Sequence, residues 1–158
     1  MLLSEVFLKL GGDHFGALVR GVSMGKLRTY QRFESFKVHA HLGKLNTETL
    51  RKAIPRLWIR LGEGDQDLAA DLAQAILLSH LDLILAVLEF LGIPNDNGFF
   101  AKDVDASAHL TPGWQQRVYD QFRGAYPAPV LLLYINHLAS ELDKSAECFL
   151  EPGEKEEI

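Results

Sequence analysis

The sequence contains very little cysteine, and its single thiol belongs to Cys148. One cysteine cannot form an intramolecular disulfide, which favours a reducing, cytoplasmic location. Long apolar runs are also missing, because none approaches the roughly 18 residues that a membrane span needs. The N-terminal segment carries Glu5 within its apolar stretch and has no cleavage-site pattern. We therefore expect neither a signal peptide nor a membrane anchor.

The histidine motifs that identify metal sites are missing as well, and the one G-x-S-x-G match, at residues 21–25, comes too early in the chain to follow the strands that a nucleophile elbow needs. The six histidines form no H-E-x-x-H motif and no Glu-x-x-His pair of the kind that di-iron bundles use. No motif points to a known family, and we predict no cofactor. These absences favour a non-catalytic protein over an enzyme.

Apolar residues, in contrast, are plentiful and charge is unevenly distributed. The chain has 158 residues, of which 47% are hydrophobic, enough for one domain with a packed core. Residues 1–63 hold 11 Lys and Arg against 5 Asp and Glu, a net charge of +6, whereas residues 64–158 hold 5 against 16, a net charge of −11. The two halves either neutralise one another in the fold or present a basic surface to an anionic partner.

The stretch from residue 65 to residue 92 predicts a buried central helix. At about 100° per residue, its acidic side chains fall on one narrow stripe and apolar side chains cover the rest. Asp65 is placed to cap the N-terminus, and Gly92 is typical of a left-handed helix stop. Because no strand-helix alternation accompanies it, the sequence predicts an all-α fold, a compact orthogonal or bundle-like arrangement of about six or seven helices around this element.

The domain organisation follows from composition. Residues 1–142 are expected to form a single helical domain, and residues 143–158 are acidic, poor in apolar residues and expected to be a disordered tail. Residues 36–42 fit either a helix or a strand, and we favour a helix because no strand signal lies nearby to pair with them.

A long segment without clear periodicity, residues 93–111, is the first candidate site, because such loops are often functional. Its polar side chains include Asp103, Asp105 and His109, and His80 lies on the apolar side of the central helix. Together they predict a pocket over that helix in a small enzyme or ligand-binding protein. The alternatives are a surface loop and a buried structural histidine.

Two further groups of residues are candidates for binding. His137 and Glu141 are spaced four apart, which suits either two adjacent metal ligands or a local ion pair. Side chains at helical spacing also form a basic stripe that could track phosphates, although an overall pI of about 5.6 argues against nucleic acid. This stripe consists of Lys52, Arg56 and Arg60, with Arg28 and Arg32 at the same spacing.

The leading functional hypothesis is a non-catalytic domain that acts through contacts with a protein partner or with a second copy of itself. It rests on the missing catalytic motifs and on the surplus of apolar residues, including Trp58 and Trp114, a residue type common in interfaces. We predict no membrane association, and nucleic acid is the less favoured partner.

Overall fold

The computed structural model describes residues 2–23, 47–96, 99–100, 105–143 and 146–151. These ranges contain eight α-helices, one short 3₁₀ helix and a two-residue antiparallel strand pair, which confirms the predicted all-α fold. The α-helices are α1 (Leu3–Leu10), α2 (Gly12–Arg20), α3 (Thr47–Lys52), α4 (Ile54–Gly62), α5 (Gln66–Leu78), α6 (Leu81–Leu91), α7 (Trp114–Phe122) and α8 (Ala128–Leu142). Arg28, Arg32, Asp103 and the ambiguous residues 36–42 lie outside the described ranges.

The predicted central helix is two helices, α5 and α6, whose axes differ by 86°. The break falls at Ser79 and His80, where His80 leaves the helical region with φ −126° and ψ 45°. The Ser79 hydroxyl donates to the carbonyl oxygen of Ala75 at 2.8 Å and accepts from the backbone N–H of Ser23 at 2.9 Å. A buried serine that bonds to a distant backbone group holds the corner, so the prediction of one continuous helix over residues 65–92 was wrong.

The ends of this element agree with the sequence analysis. Asp65 caps α5 by accepting from the N–H of Leu68 at 3.0 Å. Gly92 ends α6 in the left-handed conformation with φ 72°, and the N–H of Ile93 bonds back to the carbonyl oxygen of Leu88 at 2.9 Å.

The core is shared by α5 and α8 rather than organised around one helix. Both pack against α1 and α2, and α8 also packs against α7. Residues 130–136 of α8 are buried without interruption, so the helix is enclosed over its whole circumference in this stretch. The largest fully buried side chains are Phe7, Phe15, Leu61, Leu72, Ile76, Leu83, Leu88, Leu131, Leu132, Leu133 and Ile135.

Between α6 and α7, the residues that the structure describes form short elements only. Residues Asn95–Asp96 pair with Phe99–Phe100 in antiparallel register, and Ala106–His109 form the 3₁₀ helix. Helix α7 begins at Trp114, directly after Gly113, which is left-handed with φ 83°. The hydroxyl of Thr111 bonds to the guanidinium of Arg117.

The predicted disordered tail includes a segment that packs on the domain. Asn136, fully buried in α8, donates to the carbonyl oxygen of Phe149 at 2.9 Å and accepts from its N–H at 2.7 Å. Cys148 is buried, and the ring of Phe149 lies 5.7 Å from that of Tyr119. The folded unit therefore extends past residue 142 to residues 146–151, while residues 152–158 lie outside the described ranges.

In the described part of the chain, no single helix is both long and apolar enough to cross a membrane. Only α5 and α6 taken together reach that length and hydropathy, and the 86° bend separates them.

Replacing Gly92 should destabilise the protein, because an L-residue in the left-handed region places its Cβ against the backbone. We expect Gly92→Ala to lower the free energy of unfolding by about 1 kcal/mol. Urea denaturation measures the change. Gly124→Ala is the matched control, since Gly124 is not left-handed and an added Cβ meets nothing within 4 Å. Equal stability of the two variants would contradict the role of Gly92.

Candidate functional site

The residues predicted to form a pocket over the central helix lie in different settings. His80 is half-buried at the corner between α5 and α6, where its Nε2 would lie 3.6 Å from a Cβ added at Gly21. Asp105 and His109 are exposed at the two ends of the 3₁₀ helix, and Asp105 accepts a hydrogen bond from Ser107 at 2.5 Å. The Asp105–Ser107 bond is a local contact between two exposed side chains.

His137 and Glu141 do meet, with Nε2 and Oε1 3.6 Å apart on α8. Burial lowers the pKa of His137, and the charge of Glu141 opposes that effect. Tyr134, one turn earlier, is buried, and burial together with the Glu141 charge raises its pKa. No group of three or more potential ligands that could hold a metal ion occurs within the described residues. His137 and Glu141 form a polar contact in which burial favours the neutral imidazole of His137.

A groove of about 400 Å³ lies where the N-terminus of α7 meets the C-terminus of α8. The indole N–H of Trp114 donates across it to the carboxylate of Asp143 at 3.3 Å. The lining consists of Ser107, Leu110, Thr111, Pro112, Gly113, Trp114, Gln115, Leu142 and Asp143. His80, Asp105 and His109, which were predicted to form a pocket, do not line this groove.

The groove contains one unsatisfied polar atom. The side-chain nitrogen of Gln115 is buried and has no hydrogen-bond partner within the described residues. Since that nitrogen is closed to solvent, a ligand in the groove reaches it only if the side chain turns. The groove offers apolar side chains, the hydroxyls of Ser107 and Thr111, and a carboxylate that is already bonded to Trp114.

Two of the three described cations of the basic stripe are paired with carboxylates. Lys52 pairs with Glu48 at 3.1 Å, and Arg60 reaches the carboxylate of Asp65 through two nitrogens at 2.6 and 3.2 Å. Arg56, the third, has no carboxylate partner within the described part of the chain. Arg28 and Arg32 lie outside the described ranges, so the described part of the stripe offers one unpaired cation, fewer than a row of phosphate contacts uses.

The carboxylate of Asp65 should make stability depend on pH. Its hydrogen bond from Leu68 and the nearby guanidinium of Arg60 lower its pKa below the ordinary 3.8. A lowered pKa in the folded state means that its stabilisation is present above pH 3.8 and is lost as pH falls through the folded value. We expect Asp65→Asn, which keeps a capping oxygen, to have a lower denaturation midpoint than the wild type at pH 7 but not at pH 2. If the midpoints of Asp65→Asn and the wild type differed equally at pH 7 and pH 2, the charge of Asp65 would not be the source of the stabilisation.

The most exposed large apolar side chain in the described ranges is Ile59 on α4, which keeps 62% of its surface accessible. Lys52, Pro55 and Arg56 are also exposed and lie on the same face, at the spacing of successive helical turns. Helix α3 ends before Pro55, which has no backbone N–H to donate. Ala53, between α3 and α4, stays in the right-handed helical region with φ −81° and ψ −9°, so the chain continues in a helical direction. The four residues therefore form one surface, called the α4 surface below.

Sequence reasoning identified Lys52 and Arg56 as outward-facing but missed Ile59. A signal was present, because Ile59 is three residues from Arg56 and seven from Lys52, which places it on their face. The other side of α4 is fixed in the core, where Leu57 and Leu61 are buried.

Comparison with known proteins finds no matching family model, no similar curated protein and no similar solved structure. The fold and the surface define the class of protein, a compact all-α protein with an exposed apolar side chain on a partly basic helix.

Proposed function

We propose that this chain is a non-catalytic protein-interaction or regulatory domain that acts in the cytoplasm. The observation that carries the proposal is the exposure of Ile59, at 62%, on a helix whose opposite face is buried. An isoleucine in this position contributes little to folding, while its burial against a partner would remove apolar surface from water.

The arrangement of polar groups supports the same proposal. Among the described candidates, His80 lies at a helix corner, Asp105 accepts a hydrogen bond from Ser107, and the metal candidates His137 and Glu141 form a pair on one helix. The groove beside Trp114 holds none of them. A ligand-binding function there has less support, because its unsatisfied donor, Gln115, is not accessible.

The cytoplasmic location rests on Cys148. This cysteine is buried beside α8 and has no second cysteine in the chain with which to form a disulfide. Disulfides form and persist in oxidising, extracellular compartments, and a chain with one cysteine cannot form one internally.

Sedimentation tests the proposal. The purified chain of 17.7 kDa is compared with the same chain in a native extract of the cells that produce it. We expect the protein in the extract to sediment as a larger species, and a dimer of the purified chain would identify the partner as a second copy. Sedimentation as a monomer in both samples would refute the proposed function.

A further inference from the structure

We infer that the face of α7 and α8 beneath residues 146–151 is a peptide-binding site, which this segment of the chain, called the C-terminal strap below, occupies and blocks. The strap shows the chemistry of a competing partner. Such a partner has a small apolar residue, an aromatic residue directly after it and a carboxylate two positions later, as in Cys148, Phe149 and Glu151. The inference rests on the proposed function and adds to it a second binding face, which shares no residue with the α4 surface.

The main chain of the strap is recognised by one side chain. Asn136, fully buried in α8, donates from Nδ2 to the carbonyl oxygen of Phe149 at 2.9 Å, and its Oδ1 accepts from the N–H of the same residue at 2.7 Å. A primary amide offers both a donor and an acceptor, so it pairs with the main chain whichever side chain that residue carries. These bonds give affinity without regard to sequence, as they do when a peptide adds to a sheet edge.

The amide of Asn136 is oriented by its own helix. The second Nδ2 hydrogen donates to the carbonyl oxygen of Leu132 at 2.8 Å, one turn earlier in α8. The amide therefore keeps its orientation when the strap leaves, while its Oδ1 and one of its N–H groups lose their partners. A segment that restores both bonds is favoured over an empty site.

The side-chain preferences of the site come from Tyr119 of α7. Its ring lies 5.7 Å from that of Phe149, and its hydroxyl donates to the carboxylate of Glu151 at 3.2 Å. One buried tyrosine therefore contacts an aromatic position and an acidic position two residues later. Cys148 is only 7% exposed, so the position before the aromatic residue is enclosed and suits a small side chain.

The strap is packed on helices that also hold one another. Residues 146–151, all of them described, form neither helix nor strand, and Phe149, Leu150 and Glu151 each keep part of their surface accessible. Helix α8 packs against α1, α2, α5 and α7 through its own contacts. A segment held from one side by a few bonds opens at a lower free energy than the packed helices do. The strap can therefore leave while the helices stay in place.

A short joint keeps the site closed in the resting chain. The N–H of Ala146 bonds to the carbonyl oxygen of Asp143 at 2.9 Å, just after α8 ends at Leu142. A tether this short gives the strap an effective concentration of about 1 mM at the site. Because the strap docks at that concentration, the same segment as a free peptide has a dissociation constant below about 1 mM and has to compete with the strap.

Binding of a free copy of the strap to the full-length chain tests the inference. The probe is a fluorescein-labelled peptide with the sequence of residues 146–151, carrying Cys148→Ala against oxidation, and fluorescence polarisation measures its dissociation constant. In the full-length chain, Phe149→Ala combined with Glu151→Ala weakens the strap and leaves the site unchanged. We expect this released chain to bind the peptide with a Kd below about 1 mM, and at least about ten-fold more tightly than the wild type does.

Matched changes in the peptide and in the chain locate the binding. Phe149→Ala in the peptide should weaken binding to the released chain by about ten-fold or more, because the ring contact with Tyr119 is lost. Asn136→Leu added to the released chain should weaken binding by a similar factor, whereas Ser140→Ala on the same helix should leave it unchanged. Circular dichroism of each variant reports whether its helices are retained. If Asn136→Leu unfolds the chain, the peptide variant decides alone.

Several results would overturn the inference. Equal affinity of the wild type and the released chain would show that the strap does not block the site. No binding to the folded released chain, or binding that survives either Phe149→Ala in the peptide or Asn136→Leu in a folded chain, would show that this site does not exist. Loss of helical structure in the released chain would make the strap a structural part of the domain. Each of these results leaves the proposed function standing, because sedimentation of the native extract detects association through any face.

Discussion

Phe15→Ala should lower the free energy of unfolding by about 4 kcal/mol. Phe15 is 1% exposed and its ring contacts those of Phe7 and Trp58, so it joins α2 to α1 and α4. Removing the ring leaves a cavity where three helices meet. Because domains of this size have only about 5–15 kcal/mol of stability, the variant should be close to unfolded at elevated temperature.

Urea denaturation with two controls measures this effect. Phe15→Leu keeps most of the volume and should cost about 1.5 kcal/mol or less. Leu8→Ala removes a side chain that is already substantially exposed on α1 and should cost less than about 1 kcal/mol. If Phe15→Ala and Leu8→Ala cost the same, α4 is not held by the aromatic contacts described here.

Asn136→Leu should lower the free energy of unfolding by about 3 kcal/mol and release residues 146–151 from the domain. Leucine matches asparagine in shape but offers no hydrogen bonds. The N–H and the carbonyl oxygen of Phe149 would each lose their partner at 2.7 and 2.9 Å, and the docked segment would regain bonds only in water. The hydrophobic contacts of Cys148 and Phe149 would be lost with it.

Amide hydrogen exchange reports this release directly. The N–H of Phe149 should be protected in the wild type and exchange rapidly in Asn136→Leu. Ser140→Ala is the control on the same helix, because its hydroxyl bonds only to the nearby carbonyl oxygen of His137 and its loss should cost no more than about 1 kcal/mol. Protection of Phe149 that survives in Asn136→Leu would show that the segment is held by other contacts.

Much of the fold was predictable because its determinants are local. The cap at Asp65 and the left-handed stop at Gly92 depend on residues a few positions apart, and the structure has both. The all-α class followed from apolar periodicity without any strand partner.

The departures from prediction come from contacts between distant residues. Ser79 turns the chain between α5 and α6 through a bond to Ser23, 56 positions away, and no local pattern shows this. Asn136 docks the tail through Phe149, so an acidic segment that looks disordered by composition is packed.

The candidate site was only partly predictable for a related reason. An apolar residue such as Ile59 is expected in a core, and only its position relative to Lys52 and Arg56 indicates that it faces outward. The neutralisation of Arg60 by Asp65 was equally hidden, because it needs the turn between α4 and α5.

The central claim is that Ile59 serves binding rather than folding. It is tested most directly by measuring both the free energy of unfolding and the association state of Ile59→Ser. Because Ile59 is 62% exposed, the free energy of unfolding should change by no more than about 0.5 kcal/mol. The larger species that contains the chain in a native extract should nevertheless disappear, while Ile59→Leu should retain it. A larger species that persists in Ile59→Ser, or a loss of stability above about 1 kcal/mol, would contradict the assignment of this residue to binding.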